Sequence, residues 1–209
     1  MDTAPSRQKG SSALDAMPSE RGLLVEVTDL PLPGLKLIEP KVFRDARGHF
    51  LEIHHAEKWA SSGIRQDFVQ DNLSVSHKGV LRGLHFQYPQ WQAKLISVVE
   101  GEIFDVVVDL RQDSPTFGKW HAVTLSGADH RQLLAPAGFA HGFCVTSDVA
   151  SVIYKCSTFY EPEHEHTLLW NDPDVGIHWP VSEPILSGKD AVGLRLRDLP
   201  LPGKNVPPR

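Results

Sequence analysis

The stretch GVLRGLHFQ, Gly79–Gln87, places one histidine, His85, among alternating apolar residues, with Arg82 three positions before it. If this stretch is a strand, Gly83, His85 and Gln87 share one face and Arg82 lies on the other. An imidazole titrates near neutral pH, so this position suits either a hydrogen-bonded core residue or a group that takes up and releases protons. For an isolated strand histidine, the core interpretation is the commoner one.

Two further side chains with acid–base or charge chemistry lie in strand-like runs. Lys94 begins the run KLISVV, and Tyr154 in VIYKC shares a face with Val152 and Cys156. Each residue also has a purely structural interpretation, since a strand tyrosine is often a core aromatic and a strand lysine often protects a sheet edge. A histidine, a lysine and a tyrosine can nevertheless converge inside one barrel, although periodicity leaves open which faces meet.

A second histidine lies in PAGFAHGF, Pro136–Phe143. This stretch matches the P-x-G-x-x-H of the second cupin motif. The histidine of that motif, here His141, points into a small barrel. Metal-binding cupins add a H-x-H pair and a glutamate, because a catalytic divalent site needs about three protein ligands. Here Phe86 and Gln87 follow His85, so no metal site is predicted. The H-x-H of EPEHEHT lies in a charged, proline-containing stretch and is interpreted as solvated loop.

The elements that must position these residues are short strands. Gly and Pro, 16 of each, separate runs rich in Val, Ile, Leu, Phe and Thr, a pattern typical of an antiparallel sandwich or barrel. One hairpin is predicted in KLISVVEGEIFDVVVDLR, with its turn at Gly101, and one short helix at Ala56–Ser62. The predicted strands are Leu37–Phe43, Phe68–Ser76, Gly83–Phe86, Lys94–Val99, Ile103–Leu110, His121–Leu125, Arg131–Leu134, Gly142–Thr146 and Ala150–Phe159.

Composition excludes several classes of protein. Among 209 residues, 21 Lys and Arg face 26 Asp and Glu, and a net charge of −5 predicts no general attraction to nucleic acid or to an anionic membrane. Cys144 and Cys156 are the only cysteines, and their apolar surroundings predict small core residues rather than a disulfide framework. The N-terminal segment has no signal-peptide core and no membrane-spanning run, so we expect a cytoplasmic protein.

The length predicts one domain with irregular ends. Residues 1–22 are rich in Ser, Ala, Pro and charge and are expected to be a disordered tail. The domain is expected over residues 23–195, and residues 196–209 form a proline-rich tail.

From about Val25 to Asp190 the chain resembles the dTDP-4-dehydrorhamnose 3,5-epimerases. Several long motifs occur in the same order, which is far more specific than one short pattern. The resemblance implies an all-β, cupin-type jelly-roll barrel or sandwich with minor short helices, working without a metal or cofactor. The motifs are IEPKVFRDARGHFLE, FVQDNLSVSHKGVLRGLHFQ, AKLISVVEGEIFDVVVDLR, SPTFGKW, PAGFAHGF, IYKCSTFYEPEHEHTLLWNDPDVGIHWP and LSGKDA.

The resemblance also implies a reaction. These enzymes invert C3 and C5 of a nucleotide-linked 4-keto-6-deoxyhexose, and both carbons are alpha to the ketone. His85 matches the base, and Asp190 matches its carboxylate partner, which we expect to raise the basicity of the imidazole. Lys94 and His141 match groups at the keto oxygen, and Tyr154 matches the acid on the opposite face of the ring.

The same likeness assigns a nucleotide-sugar pocket and a homodimer, in which the partner chain can complete each pocket. A diphosphate requires local cations and donors, because the chain as a whole is acidic. The residues that match the family's pocket are Arg47, Glu52, Gln70, Asn72, Arg82, Tyr160, Glu165 and Lys189.

Four functions remain open at this stage. The first is the double epimerase of dTDP-L-rhamnose synthesis, and the second is a related epimerase that inverts one centre. The third is a metal-dependent cupin oxygenase or isomerase. The fourth is a sugar-binding barrel without catalysis, which the joint presence of an acid and a base disfavours.

Overall fold

The computed structural model describes residues 25–201, which form mainly antiparallel strands with two short α-helices. The strands are β1 Val25–Asp29, β2 Lys36–Pro40, β3 Val42–Asp45, β4 Gly48–Leu51, β5 Gln70–His77, β6 Leu81–Gln87, β7 Lys94–Glu100, β8 Glu102–Asp109, β9 Trp120–Ser126, β10 Gln132–Ala135, β11 Phe139–Val145, β12 Val149–Cys156 and β13 Glu165–Thr167. The helices are α1 Ala56–Ser61 and α2 Gly188–Ala191, and 3-10 turns occupy Pro162–His164 and Leu196–Asp198.

Two large sheets form the jelly roll. The six-stranded sheet has the order β1-β2-β10-β7-β12-β5, the five-stranded sheet has the order β13-β6-β11-β8-β9, and β3 and β4 form a separate two-stranded hairpin. The core between the sheets takes Ile96 and Val152 from the first sheet and Val107 and Phe143 from the second. The prediction of an all-β jelly roll with minor helices is confirmed.

Strand β8 illustrates how the alternation of side chains builds two apolar layers. Ile103 and Val107 point into the core between the sheets, whereas Val106 and Val108 join a second cluster on the outer side of the five-stranded sheet. Asp105 occupies the inward face together with Ile103 and Val107, and it is fully buried. A carboxylate therefore lies in an otherwise apolar layer, which requires a polar partner.

The C-terminal part of the chain covers that outer cluster. Leu196, Leu199 and Leu201 are buried there, and only 9%, 0% and 2% of their surfaces are exposed. The predicted domain boundary at residue 195 is therefore too early, because these leucines bury apolar surface that the five-stranded sheet would otherwise expose. The predicted N-terminal tail, residues 1–22, lies outside the described residues.

Most predicted elements lie within three residues of the observed ones, including the helix α1. The exception is Leu37–Phe43, which divides into β2 and β3 at Lys41, directly after Pro40. Proline lacks the N–H that would extend the ladder, which explains the break. The sequence also gave too little signal for the short elements β1, β4, β13 and α2.

The predicted hairpin in KLISVVEGEIFDVVVDLR is wrong. Strand β7 pairs with β10 and β12, whereas β8 pairs with β9 and β11, so the turn at Gly101 carries the chain from one sheet to the other. A glycine turn fixes the reversal of the chain but not the partner of each strand. Here both strands have ladder partners elsewhere, and most of their residues are buried.

A bulge between β6 and β11 changes which side chains of β6 face the interior. His141 pairs with His85 and Phe143 pairs with Arg82, so β6 has one more residue than β11 between these two pairs. An inserted residue reverses the alternation of a strand. Arg82 therefore lines the same cavity as His85, although simple alternation would place them on opposite faces.

The bulge depends on close contact between two glycines. A Cβ atom added to Gly83 would lie 2.5 Å from the Cα of Gly142 and 2.8 Å from the carbonyl oxygen of His141, and the φ of Gly83 is +123°. Both the contact and the backbone conformation exclude a larger residue at this position without movement of a strand.

We therefore expect Gly83→Ala to lower the free energy of unfolding by about 3 kcal/mol or more, combining backbone strain with steric overlap. Gly63→Ala is the matched control, because Gly63 has a φ of +82° but nothing within 4 Å of an added Cβ. The free energy of unfolding of Gly63→Ala should fall by only about 1 kcal/mol, through backbone strain. Urea denaturation compares the two variants, and equal losses would contradict the importance of the glycine contact.

Candidate active site

A cavity of about 320 Å³ opens between the two sheets. Strands β5, β7 and β12 supply one wall, and β6 and β11 supply the other. Its lining is polar at both the floor and the mouth, as expected of a pocket for a hydrophilic ligand. The lining residues are Gln70, Asn72, Ser74, Arg82, His85, Gln92, Lys94, His141, Gly142, Phe143, Tyr154, Cys156, Tyr160, Glu165 and Lys189.

His85 and Asp190 form a hydrogen-bonded pair across 105 positions of sequence, with 2.6 Å between Nε2 and Oδ1. His85 comes from β6 and retains 24% exposure of its side chain to the cavity, whereas Asp190 on α2 is buried. A carboxylate accepts, so a neutral imidazole must carry its hydrogen on Nε2. The other ring nitrogen, Nδ1, then has a free lone pair and can accept a proton.

Burial determines the proton affinity of His85. Burial lowers the pKa of the imidazole below its ordinary value, and the hydrogen bond and charge of Asp190 oppose this shift without reversing it. Asp190 therefore raises the basicity of the imidazole as expected, but burial outweighs its effect and the net pKa of His85 is lower than usual. For Asp190, burial acts to raise the pKa of the carboxyl, but hydrogen bonds from His85 and Ser187 bring the pKa below its ordinary value. At neutral pH the pair is a neutral imidazole beside a carboxylate.

A second histidine–carboxylate pair lies at the floor of the cavity. Nε2 of His141 is 3.1 Å and 3.0 Å from the two oxygens of Asp105, and both side chains are buried. Burial raises the pKa of the Asp105 carboxyl, and the charge of His141 counteracts part of that rise. Asp105 was not among the predicted site residues; its signal was an acid on the inward face of the apolar run EIFDVVVD.

Lys94 lies beside these two pairs at the start of β7. Its side chain is buried, and Nζ donates to the backbone carbonyl of His85 at 3.3 Å. Burial lowers the pKa of the ammonium, and the charge of Asp105 opposes this shift. Lys94 pairs directly with Cys156 on β12, so the cysteine that was predicted as a core residue also lines the cavity.

Tyr154 enters the cavity from the sheet opposite His85. It lies on β12 of the six-stranded sheet, between Ile96 of β7 and Asn72 of β5, whereas His85 lies on β6 of the five-stranded sheet. Burial raises the pKa of the phenol. An unprotonated imidazole nitrogen and a protonated phenol therefore face one cavity from opposite walls.

Polar residues at the mouth form a connected network. The hydroxyl of Tyr160 and the ammonium of Lys189 both donate to Oε2 of Glu165, at 2.8 Å and 2.7 Å. Gln70 joins this network, because its side chain accepts from the backbone N–H of Tyr160 at 2.8 Å and donates to Asn72 at 3.0 Å. All five residues belong to the predicted nucleotide-sugar set, and all five line the cavity.

Ser74 is a cavity residue that the sequence analysis missed. It follows Gln70 and Asn72 at intervals of two along β5, so the three side chains share the inward face. Its Oγ is buried and has no hydrogen-bond partner within residues 25–201. The alternation of QDNLSVS was the available signal.

Arg47 and Glu52 are not brought to the cavity of their own chain. Arg47 lies in the turn of the β3–β4 hairpin, with 90% of its side chain exposed, and pairs with Asp45. Glu52, just after β4, pairs with Lys58 of α1 at 2.9 Å. The hairpin is a sheet of its own, and neither residue lies among the side chains that line the cavity.

The motif EPEHEHT does not provide a metal site. His164 is paired with Glu161 in the 3-10 turn. Within residues 25–201 no group of three or more His, Cys, Asp or Glu side chains lies close enough together to hold a metal ion. In the same part of the chain, no helix has the length and apolar character needed to cross a bilayer.

Comparison with known proteins gives the family. A family model described as dTDP-4-dehydrorhamnose 3,5-epimerase matches residues 29–198. This chain belongs to the dTDP-4-dehydrorhamnose 3,5-epimerase family. The dTDP-4-dehydrorhamnose 3,5-epimerase of Shigella flexneri is 49% identical over 176 residues, covering 83% of this chain and 97% of the relative.

Two further members of the epimerase family extend the comparison. The dTDP-4-dehydrorhamnose 3,5-epimerase of Neisseria gonorrhoeae is 52% identical over 171 residues, and the match covers 81% of this chain. It spans only 52% of the Neisseria protein, about half of that relative's length. A 3,5-epimerase structure from Legionella pneumophila in complex with dTDP-4-keto-L-rhamnose superimposes with a TM-score of 0.80 and 48% identity, covering 83% of this chain and 93% of that one.

Proposed function

We propose that this protein converts dTDP-4-dehydro-6-deoxy-D-glucose to dTDP-4-dehydro-L-rhamnose by inverting C3 and C5 of the hexose. The observation that carries the proposal is the placement of His85 and Tyr154 on opposite walls of one cavity. Inversion at a carbon requires that a proton leave from one face of the ring and return to the other. The family's 3,5-epimerase members support the same reaction.

His85 acts as the base. Its Nδ1 accepts the proton of C3 or C5, and the electron pair of the broken C–H bond forms the enolate of the C4 ketone. The lowered pKa of His85 keeps the imidazole unprotonated at neutral pH, so the base is available before substrate arrives. Asp190 stabilises the imidazolium that forms, because its carboxylate stays ionised.

Lys94 and His141 stabilise the negative charge that develops on the keto oxygen. Lys94 is buried in the cavity wall, where a fixed positive charge interacts more strongly with an oxyanion than it would in water. Nε2 of His141 is bonded to Asp105, which leaves Nδ1 as the ring nitrogen that can reach the same oxygen.

Tyr154 returns a proton to the opposite face of the carbon. Burial raises the pKa of the phenol, so it keeps its proton until a basic enolate carbon is presented. The phenolate and the imidazolium then exchange with solvent, and the same steps repeat at the second carbon. Arg82 and Lys189 supply cations that match the diphosphate of the substrate. Tyr160, at the mouth, offers an aromatic surface to the nucleobase of the substrate.

The decisive experiment is a coupled assay with the full chain in heavy water. Incubation with dTDP-4-keto-6-deoxyglucose, a rhamnose-forming reductase and NADPH should produce dTDP-rhamnose and oxidise the cofactor. Mass spectrometry and NMR should find deuterium at both C3 and C5. Incorporation at one carbon only would favour a single-centre epimerase, and absence of incorporation would refute epimerisation.

We further infer a homodimer in which Arg47 and Glu52 complete the partner's pocket. Both residues match the family's nucleotide-sugar pocket but lie outside their own cavity, in or directly after the separate β3–β4 hairpin. The outer face of the six-stranded sheet also exposes Leu73, Val75 and Val99 by 64%, 56% and 58%. Apolar surface of this kind is typical of a face that a second chain covers.

Mixed dimers test this arrangement. Arg47→Ala and His85→Asn chains should each have low activity alone, whereas co-expression should restore about one functional pocket per mixed dimer. One pocket then combines an intact His85 with the partner's intact arginine. If activity stays at the level of the single variants, Arg47 does not act in the partner's pocket. Analytical ultracentrifugation of the wild-type chain checks the dimer itself.

A further inference from the structure

The short helix α2 begins at a serine that contacts the carboxylate of the His85 pair. Ser187 is the residue before α2, and its Oγ accepts from the backbone N–H of Asp190 at 3.2 Å. This is the hydrogen bond of a helix N-cap. The same Oγ donates its own hydrogen to Oδ2 of Asp190 at 2.8 Å.

Asp190 is therefore fixed through both of its oxygens. Oδ1 accepts from Nε2 of His85 at 2.6 Å, and Oδ2 accepts from Ser187. Asp190 is only 3% exposed, so water cannot readily replace either partner. Two bonds, one to His85 of β6 and one to the residue that caps α2, determine the plane of the carboxylate and with it the direction in which the imidazole ring is held.

We propose that Ser187 is a positioning residue for the reaction: its hydroxyl holds the Asp190 carboxylate in the orientation that aims Nδ1 of His85 at the substrate. This inference rests on the proposed role of His85 as the base. Ser187 does not line the cavity, so it acts through Asp190 and not on the substrate. The one-turn helix thus serves to deliver and fix a carboxylate.

Loss of the hydroxyl should affect the chemical step rather than substrate binding. Without Ser187, Oδ2 is buried without a partner, and the carboxylate can rotate away from His85. In histidine–carboxylate arrangements at metal sites, removal of an outer partner costs roughly 10–100-fold in function. We expect Ser187→Ala to lower kcat about tenfold with an unchanged KM and unchanged affinity for dTDP.

Two further variants separate positioning from helix capping. Glycine is tolerated at an N-cap nearly as well as serine but has no hydroxyl, so Ser187→Gly should be almost as stable as wild type and as slow as Ser187→Ala. Ser187→Thr keeps both the cap and the donor and should restore kcat. Thermal denaturation of all three variants measures the capping contribution separately.

Proton NMR gives a readout that does not depend on turnover. In the wild-type chain the Nε2–H of His85 should give a deshielded resonance protected from solvent exchange, identified by its absence in His85→Asn. The resonance should weaken in Ser187→Ala and Ser187→Gly and return in Ser187→Thr. Wild-type kcat together with an unchanged resonance in Ser187→Gly would overturn the proposal. An inactive wild-type chain would instead refute the proposed function.

Discussion

His85→Asn is expected to abolish measurable exchange of the substrate's C3 and C5 hydrogens, lowering the exchange rate by roughly 10²–10⁴-fold. Asparagine is of similar size and its amide can still donate to Asp190, but it has no nitrogen that accepts a proton. The nucleotide contacts at the mouth are untouched, so affinity for dTDP should remain measurable by calorimetry. Exchange is followed by NMR in heavy water.

The pH dependence of the wild-type enzyme provides an independent check on the same assignment. Because burial lowers the pKa of His85, the imidazole stays unprotonated below its usual titration range. The acidic limb of the kcat/KM profile should therefore lie below about pH 6.5, with activity lost as pH falls through the pKa of His85.

The control for His85→Asn is His178→Asn, which replaces an exposed histidine outside the cavity. This variant should exchange the C3 and C5 hydrogens at the wild-type rate. Wild-type exchange in His85→Asn would remove the base assignment.

Tyr154→Phe is expected to separate proton removal from inversion. The phenyl ring keeps the packing between β5 and β7, while the acid that reprotonates the opposite face is lost. Hydrogen should still be exchanged from the face served by His85, but formation of the inverted product should fall by roughly 10²–10³-fold. The measurement is the ratio of deuterium incorporation into recovered substrate to dTDP-rhamnose formed in the coupled assay.

Tyr160→Phe is the matched control for this experiment, because it removes a phenolic hydroxyl at the mouth of the same cavity. It should change KM through the contact with Glu165 and leave the ratio of exchange to product as in wild type. Normal turnover of Tyr154→Phe would contradict the acid role. A loss of exchange equal to the loss of product would indicate general damage to the site.

The regular parts of the fold were predictable because they depend on local pattern. Alternating β-branched and aromatic residues locate strands such as β8, β11 and β12, and glycine and proline locate their ends. Strand pairing was not predictable from the same signal. The turn at Gly101 looks like a hairpin in sequence, yet its strands join different sheets. Similarly, Leu196, Leu199 and Leu201 read as part of a proline-rich tail until the sheet that they cover is known.

The residues that line the cavity could be predicted only where the family motifs identify them. Of the thirteen predicted site residues, Arg47 and Glu52 lie away from the cavity, and Asp190 lies behind His85 rather than in the lining. Asp105 and Ser187 were not identified: the only signal for Asp105 was an acid on the inward face of an apolar strand, and a single serine carries no signal of its own. Their importance follows from the side chains that they contact.

By itself the sequence determined an all-β chain, the chemical types available to the site, and membership of a family that handles 4-keto sugars. Only the tertiary structure decided that a bulge turns Arg82 to the side of His85, that burial outweighs Asp190 in setting the proton affinity of the imidazole, and that a second buried pair lies below Lys94. The reason is physical. Residue type and periodicity act over a few positions, whereas register, desolvation and contacts across 105 positions arise only when the sheets are packed together.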